Sequence, residues 1–135
     1  MLNKDNILSI LEDLNLPKGH YAVNTSSVLV LNGLKDYAND IDIDCYIELF
    51  NLFLDKGYIS KFHKGPNDYC SEIIDLTESI QLIKKEILIS EDIVDYHGFD
   101  IYTLEYVRRF KAFLGREKDL KDIDLIDNWK KVKEV

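Results

Sequence analysis

Three aspartates alternate with two isoleucines in the segment NDIDIDCY. Alternate residues of a β-strand point to the same face and lie about 6.6 Å apart. Asp40, Asp42 and Asp44 therefore share one face, while Ile41 and Ile43 point to the opposite face, toward a core. Neighbouring carboxylates repel one another, so they coexist best in water or around a cation. The segment predicts a strand with one acidic face.

Two interpretations of this acidic face remain open. It could be the solvated face of an edge strand, whose charges prevent aggregation, and the pattern alone favours this. It could instead bind Mg²⁺, because hard cations take carboxylate oxygens. A calcium loop of the EF-hand type is excluded, because counting from Asp40 places Cys45 and Asn51 where Gly and Glu are required. The three histidines are scattered and the cysteines have no paired spacing, which argues against zinc.

Hydrophobic periodicity indicates mixed helices and strands around this segment. Helices are predicted over residues 4–15, 47–57, 78–85, 103–114 and 118–133. Strands are predicted over residues 20–23, as an edge of the sheet, and over 40–46, 58–64, 69–76 and both arms of a hairpin within 92–103. Residues 26–34 have β-branched side chains that suit a strand and end residues that suit a helix, so they stay undecided. This order predicts an α/β (α+β) fold.

The 135 residues are enough for a single domain spanning 1–135. The net charge of −8 is uneven, because residues 1–102 carry 8 basic and 18 acidic side chains and residues 103–135 carry 9 and 7. The acidic body argues against non-specific nucleic-acid binding. No apolar run approaches the roughly 18 residues that a membrane helix needs. Two cysteines make no disulfide framework, so we expect reduced thiols and a cytoplasmic protein.

The spacing of small residues ahead of the aspartates adds a more specific pattern. Gly33 lies seven residues before Asp40, and Ser26 lies seven residues before Gly33. This spacing resembles the minimal bacterial and phage branch of the DNA polymerase beta-like nucleotidyltransferase superfamily. In that branch a strand ends in Gly-Gly or Gly-Ser, an apolar helix follows and ends at Gly, and the next strand carries Asp-x-Asp. Thr25 and Ser26 occupy the pair here, with Asp40 and Asp42 as the Asp-x-Asp.

The same resemblance extends over roughly residues 20–127, which is nearly the whole chain. The segment SEIIDLTESI offers Asp75 for the third carboxylate of the family. The segment HGFDIYTLEYVRRFKAFLGREKDLKDIDLI is similar to the hairpin of the family, its lysine-bearing helix and its Arg-x-Lys-Asp-x-x-Asp-Ile segment. The matching positions are Lys111, Arg116, Lys118, Asp119, Asp122 and Ile123.

Three of these charged residues also have interpretations of their own. Lys111 falls on an apolar helical stripe, so its ammonium needs a partner or a route to water. A phosphate-bearing cleft and snorkelling to the helix end are both open. For Asp119 and Asp122, spacings of three and four residues favour ordinary surface ion pairs, which is a structural role.

The resemblance implies a nucleotidyltransferase-like mixed β-sheet flanked by helices, with two C-terminal helices. It implies Mg²⁺-dependent transfer of a nucleoside monophosphate from a nucleoside triphosphate to a hydroxyl acceptor. The implied metal ligands and catalytic residues are Asp40, Asp42 and Asp75, with Asp75 also a candidate base. The implied nucleotide- and phosphate-binding residues are Thr25, Ser26, Lys111 and Arg116. Residues 26–34 should then be helical, with free backbone N–H groups near the phosphates.

The chain departs from the family pattern at Thr25, where a glycine would let phosphates approach the backbone closely. This departure supports an alternative, a catalytically inactive nucleotidyltransferase-fold module that acts as a binding or partner module. A single small domain would bind its acceptor across a homodimer, through a partner protein or on a macromolecule. The acceptor, the base preference and the role of Asp44 are not specified by these motifs.

Overall fold

The structure is a computed structural model, and it describes residues 1–133. It begins with α1, Lys4–Leu14, which starts with a reciprocal cap. The Asn3 side chain accepts a hydrogen bond from the Asn6 backbone N–H, and the Asn6 side chain accepts one from the Asn3 N–H. These bonds satisfy two donors that a helix start leaves free. Ile7 and Leu11 anchor α1 to the core.

Seven strands form one mixed sheet in the order β3-β4-β5-β2-β1-β7-β6. The strands are β1 Tyr21–Asn24, β2 Ile41–Tyr46, β3 Ser60–Lys64, β4 Cys70–Thr77, β5 Ile80–Lys85, β6 Ile93–Tyr96 and β7 Phe99–Tyr102. β2 pairs with β1 in antiparallel orientation and with β5 in parallel orientation. The predicted α/β class is confirmed.

Four further helices follow these strands. They are α2 Ser26–Leu31, α3 Ile47–Asp55, α4 Leu104–Leu114 and α5 Glu117–Lys133. The segment left undecided by the sequence forms a helix, α2. Two of its six residues are valines, which disfavour a helix, but burial of all its apolar side chains outweighs this preference. None of the helices in residues 1–133 has both the length and the apolar character needed to cross a membrane.

Two predicted elements differ from the structure. Within residues 78–85, predicted as a helix, Ile80–Lys85 form β5, because Ile80 and Leu82 enter the core while β4 and β2 complete its backbone hydrogen bonds. Residues 20–23, predicted at a sheet edge, form β1, which lies between β2 and β7. In both places sheet pairing outweighs the local pattern.

The interpretation of β2 as a solvated edge strand is wrong. β2 has a neighbour on each side, and both Ile41 and Ile43 are fully buried in the core. On the opposite face Asp44 is only 2% exposed. Asp42 and Asp44 therefore lie on a central strand of the sheet, where carboxylates need partners.

A buried ion network joins α4 to α5. Lys111 Nζ lies 2.8 Å from Asp122 Oδ2 and 3.6 Å from Asp119 Oδ1. Arg116 Nε donates to Asp119 Oδ2 at 2.7 Å, and the Arg116 backbone N–H donates to the same oxygen. Burial opposes ionisation of Asp119, but these hydrogen bonds outweigh it and lower the pKa of Asp119. These contacts agree with the structural role expected for Asp119 and Asp122, but both carboxylates are buried and do not lie on the surface as expected.

Loss of one partner in this network should be costly. We expect Asp119→Ala to lower the free energy of unfolding by about 3–5 kcal/mol, because Lys111 would keep its charge in a buried place without full compensation. Denaturant unfolding followed by circular dichroism measures this. Asp127→Ala is the matched control, because Asp127 pairs with Arg108 across the same two helices at an exposed position. The expectation fails if both variants lose the same stability.

Candidate functional site

The turn between β1 and α2 is strained at Thr25. Its backbone has φ 57° and ψ −138°, a region that glycine adopts readily and a β-branched residue rarely adopts. The Thr25 backbone N–H donates to Asn24 Oδ1 at 2.7 Å, and this bond helps to hold the turn. Threonine thus keeps the backbone shape that a glycine would give this position. Strain of this kind concentrates at functional sites and costs on the order of 1–3 kcal/mol.

The Thr25 side chain turns toward the acidic face of β2. Its hydroxyl donates to Asp42 Oδ2 at 2.8 Å. Burial raises the pKa of Asp42, the hydrogen bond from Thr25 partly offsets this, and the nearby charge of Asp40 raises it again. Asp40 is exposed just before β2, and its backbone oxygen accepts a hydrogen bond from the Ser27 hydroxyl. The two carboxylates therefore lie beside the β1–α2 turn, and they repel each other.

Two cavities meet at this pair of carboxylates. The first cavity has a volume of about 300 Å³ and the second about 400 Å³. Five residues border both: Thr25, Asp40, Asp42, Arg116 and Lys118. The structure thus brings together residues from the β1–α2 turn, from the start of β2 and from the start of α5, which are far apart in the sequence.

The second cavity is the more cationic one. Besides the shared residues it is bordered by Ser26, Lys35, Lys111 and Asp122. Lys35 Nζ lies 3.2 Å from Asp122 Oδ1, so Lys35 and Lys111 both flank one buried carboxylate. Cationic side chains around a space of this size suit an anion with several charges.

Lys111 and Arg116 reach the site, but both are already engaged. Lys111 is 3% exposed and paired with Asp122, and Arg116 is held by Asp119. Lys118 borders both cavities and forms no ion pair with any residue of the described chain. The sequence placed Lys118 within the Arg-x-Lys-Asp segment without assigning it to the site. Lys118 lies four residues, about one helical turn, before Asp122 near the start of α5. This position was the signal in the sequence that could have assigned Lys118 to the site.

Asp75 lies away from the other predicted ligands. Asp42 pairs in register with Gln81 of β5, and Gln81 pairs with Asp75 of β4, so two strand spacings, about 10 Å, separate the two aspartates. The three side chains share a sheet face. Gln81 donates to Asp75 Oδ1, and Lys61 lies 2.7 Å from Asp75 Oδ2. The hydrogen bond from Lys61 lowers the pKa of Asp75. Asp75 borders neither cavity.

The first cavity extends over Asp44, whose place in the site the sequence left open. The Asp44 Oδ2 atom accepts a 2.6 Å hydrogen bond from the Tyr102 hydroxyl. Burial raises the pKa of Asp44 to about 6, although the charge of Lys85 and the bond from Tyr102 act against this rise. Asp44 therefore forms part of the buried floor of the cavity.

The donor atoms present suit a magnesium ion that is shared with a ligand. Among residues 1–133 no group of three or more His, Cys, Asp and Glu side chains is arranged to hold a metal ion. Mg²⁺ is commonly held by one or two carboxylates together with substrate phosphates and water. Asp40 and Asp42, beside a cationic cavity, fit this second arrangement and not a cage made by protein alone.

The fold is similar to those of several solved structures. A protein from Thermotoga maritima, described as a candidate nucleotidyltransferase, is similar with a TM-score of 0.61 and 17% sequence identity, over 96% of each chain. JHP933 from Helicobacter pylori is similar over 87% of this chain and 61% of that protein, with a TM-score of 0.52 and 19% identity. No family model and no curated protein sequence matches the chain. The predicted nucleotidyltransferase-like fold is confirmed.

Neutralising the buried carboxylate of Asp44 should change how stability depends on pH. The raised pKa means that the folded chain holds the proton of Asp44 more tightly than the unfolded chain does. The resulting stabilisation is present at low pH and is lost as pH rises through about 6. Asp44→Asn stays neutral, so its stability relative to wild type should improve by up to about 3 kcal/mol between pH 4 and pH 7.

Urea unfolding at several pH values, with EDTA present to remove metal ions, measures this difference. Asp127→Asn is the control, because Asp127 is partly exposed at the α4–α5 surface. A stability difference between Asp44→Asn and wild type that does not change with pH would contradict the expectation.

Proposed function

We propose that this protein is a Mg²⁺-dependent nucleotidyltransferase, which moves a nucleoside monophosphate from a nucleoside triphosphate to a hydroxyl acceptor. One observation carries the proposal. Asp40 and Asp42 stand at the junction of two cavities, beside the strained Thr25 turn and the cations Arg116 and Lys118. The nucleotidyltransferase-like fold supports it.

The second cavity is the proposed place for the triphosphate. Lys118 is the cation best able to contact the phosphates, because no ion pair within residues 1–133 occupies it. Lys111 and Arg116 contribute positive charge to the cavity wall while staying bound to Asp122 and Asp119. Thr25 and Ser26 border the cavity from the β1–α2 turn. Fixed positive charge of this kind stabilises the negative charge that develops on phosphate oxygens during transfer.

Asp40 and Asp42 are the residues that would hold the metal. Bound Mg²⁺ supplies positive charge to the phosphates and to the attacking oxygen. Without a cation the two carboxylates repel each other, which is one cause of the raised pKa of Asp42. Their role in the reaction is therefore to bind the nucleotide together with its metal and to orient its phosphate. Burial of Asp42 keeps that carboxylate in a fixed direction.

Asp75 stays the predicted third metal ligand and base, and this role requires its side chain to move. Its carboxylate would have to leave Lys61 and come past Gln81 to reach Asp42. The hydrogen bonds that Asp75 now makes favour the place it holds. Asp75 is therefore the least supported member of the proposed catalytic set.

A second candidate function follows from this same geometry. The residue beside Asp42 on the parallel strand β5 is Gln81, an amide, and the nearest acid along that row lies one strand further away. Two carboxylates can hold a nucleotide with its metal, whereas deprotonating a hydroxyl calls for a further base. The alternative is a nucleotidyltransferase-fold module that binds Mg²⁺–nucleotide without turnover and acts through a partner.

Calorimetric titration with ATP, GTP, CTP and UTP tests the shared part of both functions. We expect metal-dependent binding of at least one nucleotide, and loss of that binding in Asp42→Asn, because one of two metal-binding carboxylates is removed. Asp95→Asn is the control, since Asp95 pairs with Lys18 away from both cavities. If folded wild-type protein binds none of the four nucleotides, both proposed functions are contradicted. Pyrophosphate release with a hydroxyl acceptor then separates the enzyme from the inactive module.

Thr25 should limit how tightly the nucleotide binds. Thr25→Gly keeps the positive φ without strain, frees Asp42 Oδ2 from the hydroxyl and opens the turn to phosphate. We expect the affinity for Mg²⁺–nucleotide to rise about fivefold, which is the effect of one competing hydrogen bond of about 1 kcal/mol. Thr25→Ser keeps the hydroxyl and should bind like wild type. Weaker binding by Thr25→Gly would show that the threonine assists binding.

A further inference from the structure

The first cavity differs in chemistry from the second. Beyond the five shared residues, no lysine or arginine borders it. Its wall combines polar residues, among them Asn24, His63, Ser71 and Gln81, with apolar and aromatic side chains, namely Pro66, Tyr69, Ile73, Ile83, Phe110 and Leu114. Its volume of about 300 Å³ lies at the small end of the range for ligand pockets. The lysine and the arginine that a polyphosphate could meet here, Lys118 and Arg116, are both shared with the second cavity, whereas an uncharged ring would find aromatic surface.

Aromatic rings of β7 and α4 form a stack that ends at this cavity. The rings of Tyr102 and Tyr106 are 3.8 Å apart and nearly parallel, and those of Tyr106 and Phe110 are 6.4 Å apart with an interplanar angle of 12°. Phe110 is the last ring and the one that borders the cavity. Tyr69 meets Phe110 edge to face at 5.4 Å. A planar ring bound in the cavity would contact Phe110, the last ring of the stack, and the neighbouring ring of Tyr69.

Side chains of the sheet hold two of these rings in place. Tyr102, its first ring, donates to the buried carboxylate of Asp44. Tyr69 is held by Lys85, whose ammonium donates to the Tyr69 hydroxyl at 2.7 Å. Rings held in this way lose little freedom when a ligand binds, so they favour binding of a flat group.

The two cavities extend in different directions from Asp42. Beyond the shared residues, the second cavity reaches residues 37–39, which precede β2, and the first reaches Asp44 and strands β5 and β4. In displacement at phosphorus the attacking and leaving oxygens lie roughly in line on opposite sides. With pyrophosphate leaving into the cationic second cavity, the attacking oxygen must approach from the side of the first.

We infer that the first cavity is the acceptor subsite and that it binds a planar, uncharged ring carrying the attacking hydroxyl. The inference rests on the proposed function for the position of the phosphates. In the transfer the hydroxyl oxygen forms a bond to the α-phosphorus as the bond to pyrophosphate breaks. The hydroxyl proton passes to a general base, the role that the proposed function keeps for Asp75, and the electron pair of the broken bond leaves on pyrophosphate.

The experiment uses four unphosphorylated nucleosides as ring-and-hydroxyl probes. Each is titrated into wild-type protein twice, once alone and once with Mg²⁺ and a non-hydrolysable analogue of the nucleotide found to bind. We expect a nucleoside to bind in both conditions. Phe110→Leu should weaken this binding about tenfold, because one stacking partner is lost. Phe113→Leu is the matched control, since Phe113 lies on α4 and also meets Tyr69 edge to face but does not border the cavity.

Three outcomes would overturn the inference. The first is that no nucleoside binds in either condition. The second is competition, in which the analogue displaces the nucleoside, because the cavity would then hold the base of the donor. The third is equal binding by Phe110→Leu and wild type. Failure of the proposed function is seen separately, as failure of the Mg²⁺–analogue itself to bind, while nucleoside binding without it is still measured. The wild-type competition also stands if Phe110→Leu does not fold.

Discussion

The register of β2 between its two neighbours is the constraint on which the site depends. Six residue pairs fix β2 against β5, and four fix it against β1. A slip of one residue in a strand moves every side chain to the other face. The isoleucines of β2 would then face the cavities, and the aspartates would enter the core. Burial of Ile41 and Ile43 thus places Asp42 and Asp44, because the apolar face has only one favourable position.

The second support of the site is the ion network between α4 and α5. Lys111 is nearly as buried as a core leucine, and Asp119 is fully buried, so each charge depends on the other. The network joins the two helices whose residues Phe110, Arg116 and Lys118 border the cavities. Charges in the interior stabilise little on balance, but they hold their partners in one arrangement. In this protein they orient the cationic side of the site, while hydrophobic packing supplies the stability.

Part of the fold and of the site could be read from the sequence. The alternation around Ile41 predicted the strand and its core face, because a period of two is typical of a strand and does not suit a helix. The motif spacing predicted the nucleotidyltransferase-like fold. β5 was mistaken for a helix because its strand character comes from partners distant in sequence. Gln81 beside Asp42 and the ring of Phe110 over the cavity could not be foreseen, since each is set by pairing and packing that no local pattern encodes.

The site combines residues that are far apart in the sequence, from Thr25 to Lys118, and this separation delays its formation during synthesis. β1, which leads into Thr25, is completed on one side by β7, where Val23 pairs with Ile101. Lys118 follows later still in the sequence. Contacts so far apart form late in folding and at a cost in loop entropy. A nascent chain on the ribosome therefore has its acidic strand long before it has Lys111, Arg116 and Lys118, and the site is complete only when α5 has emerged.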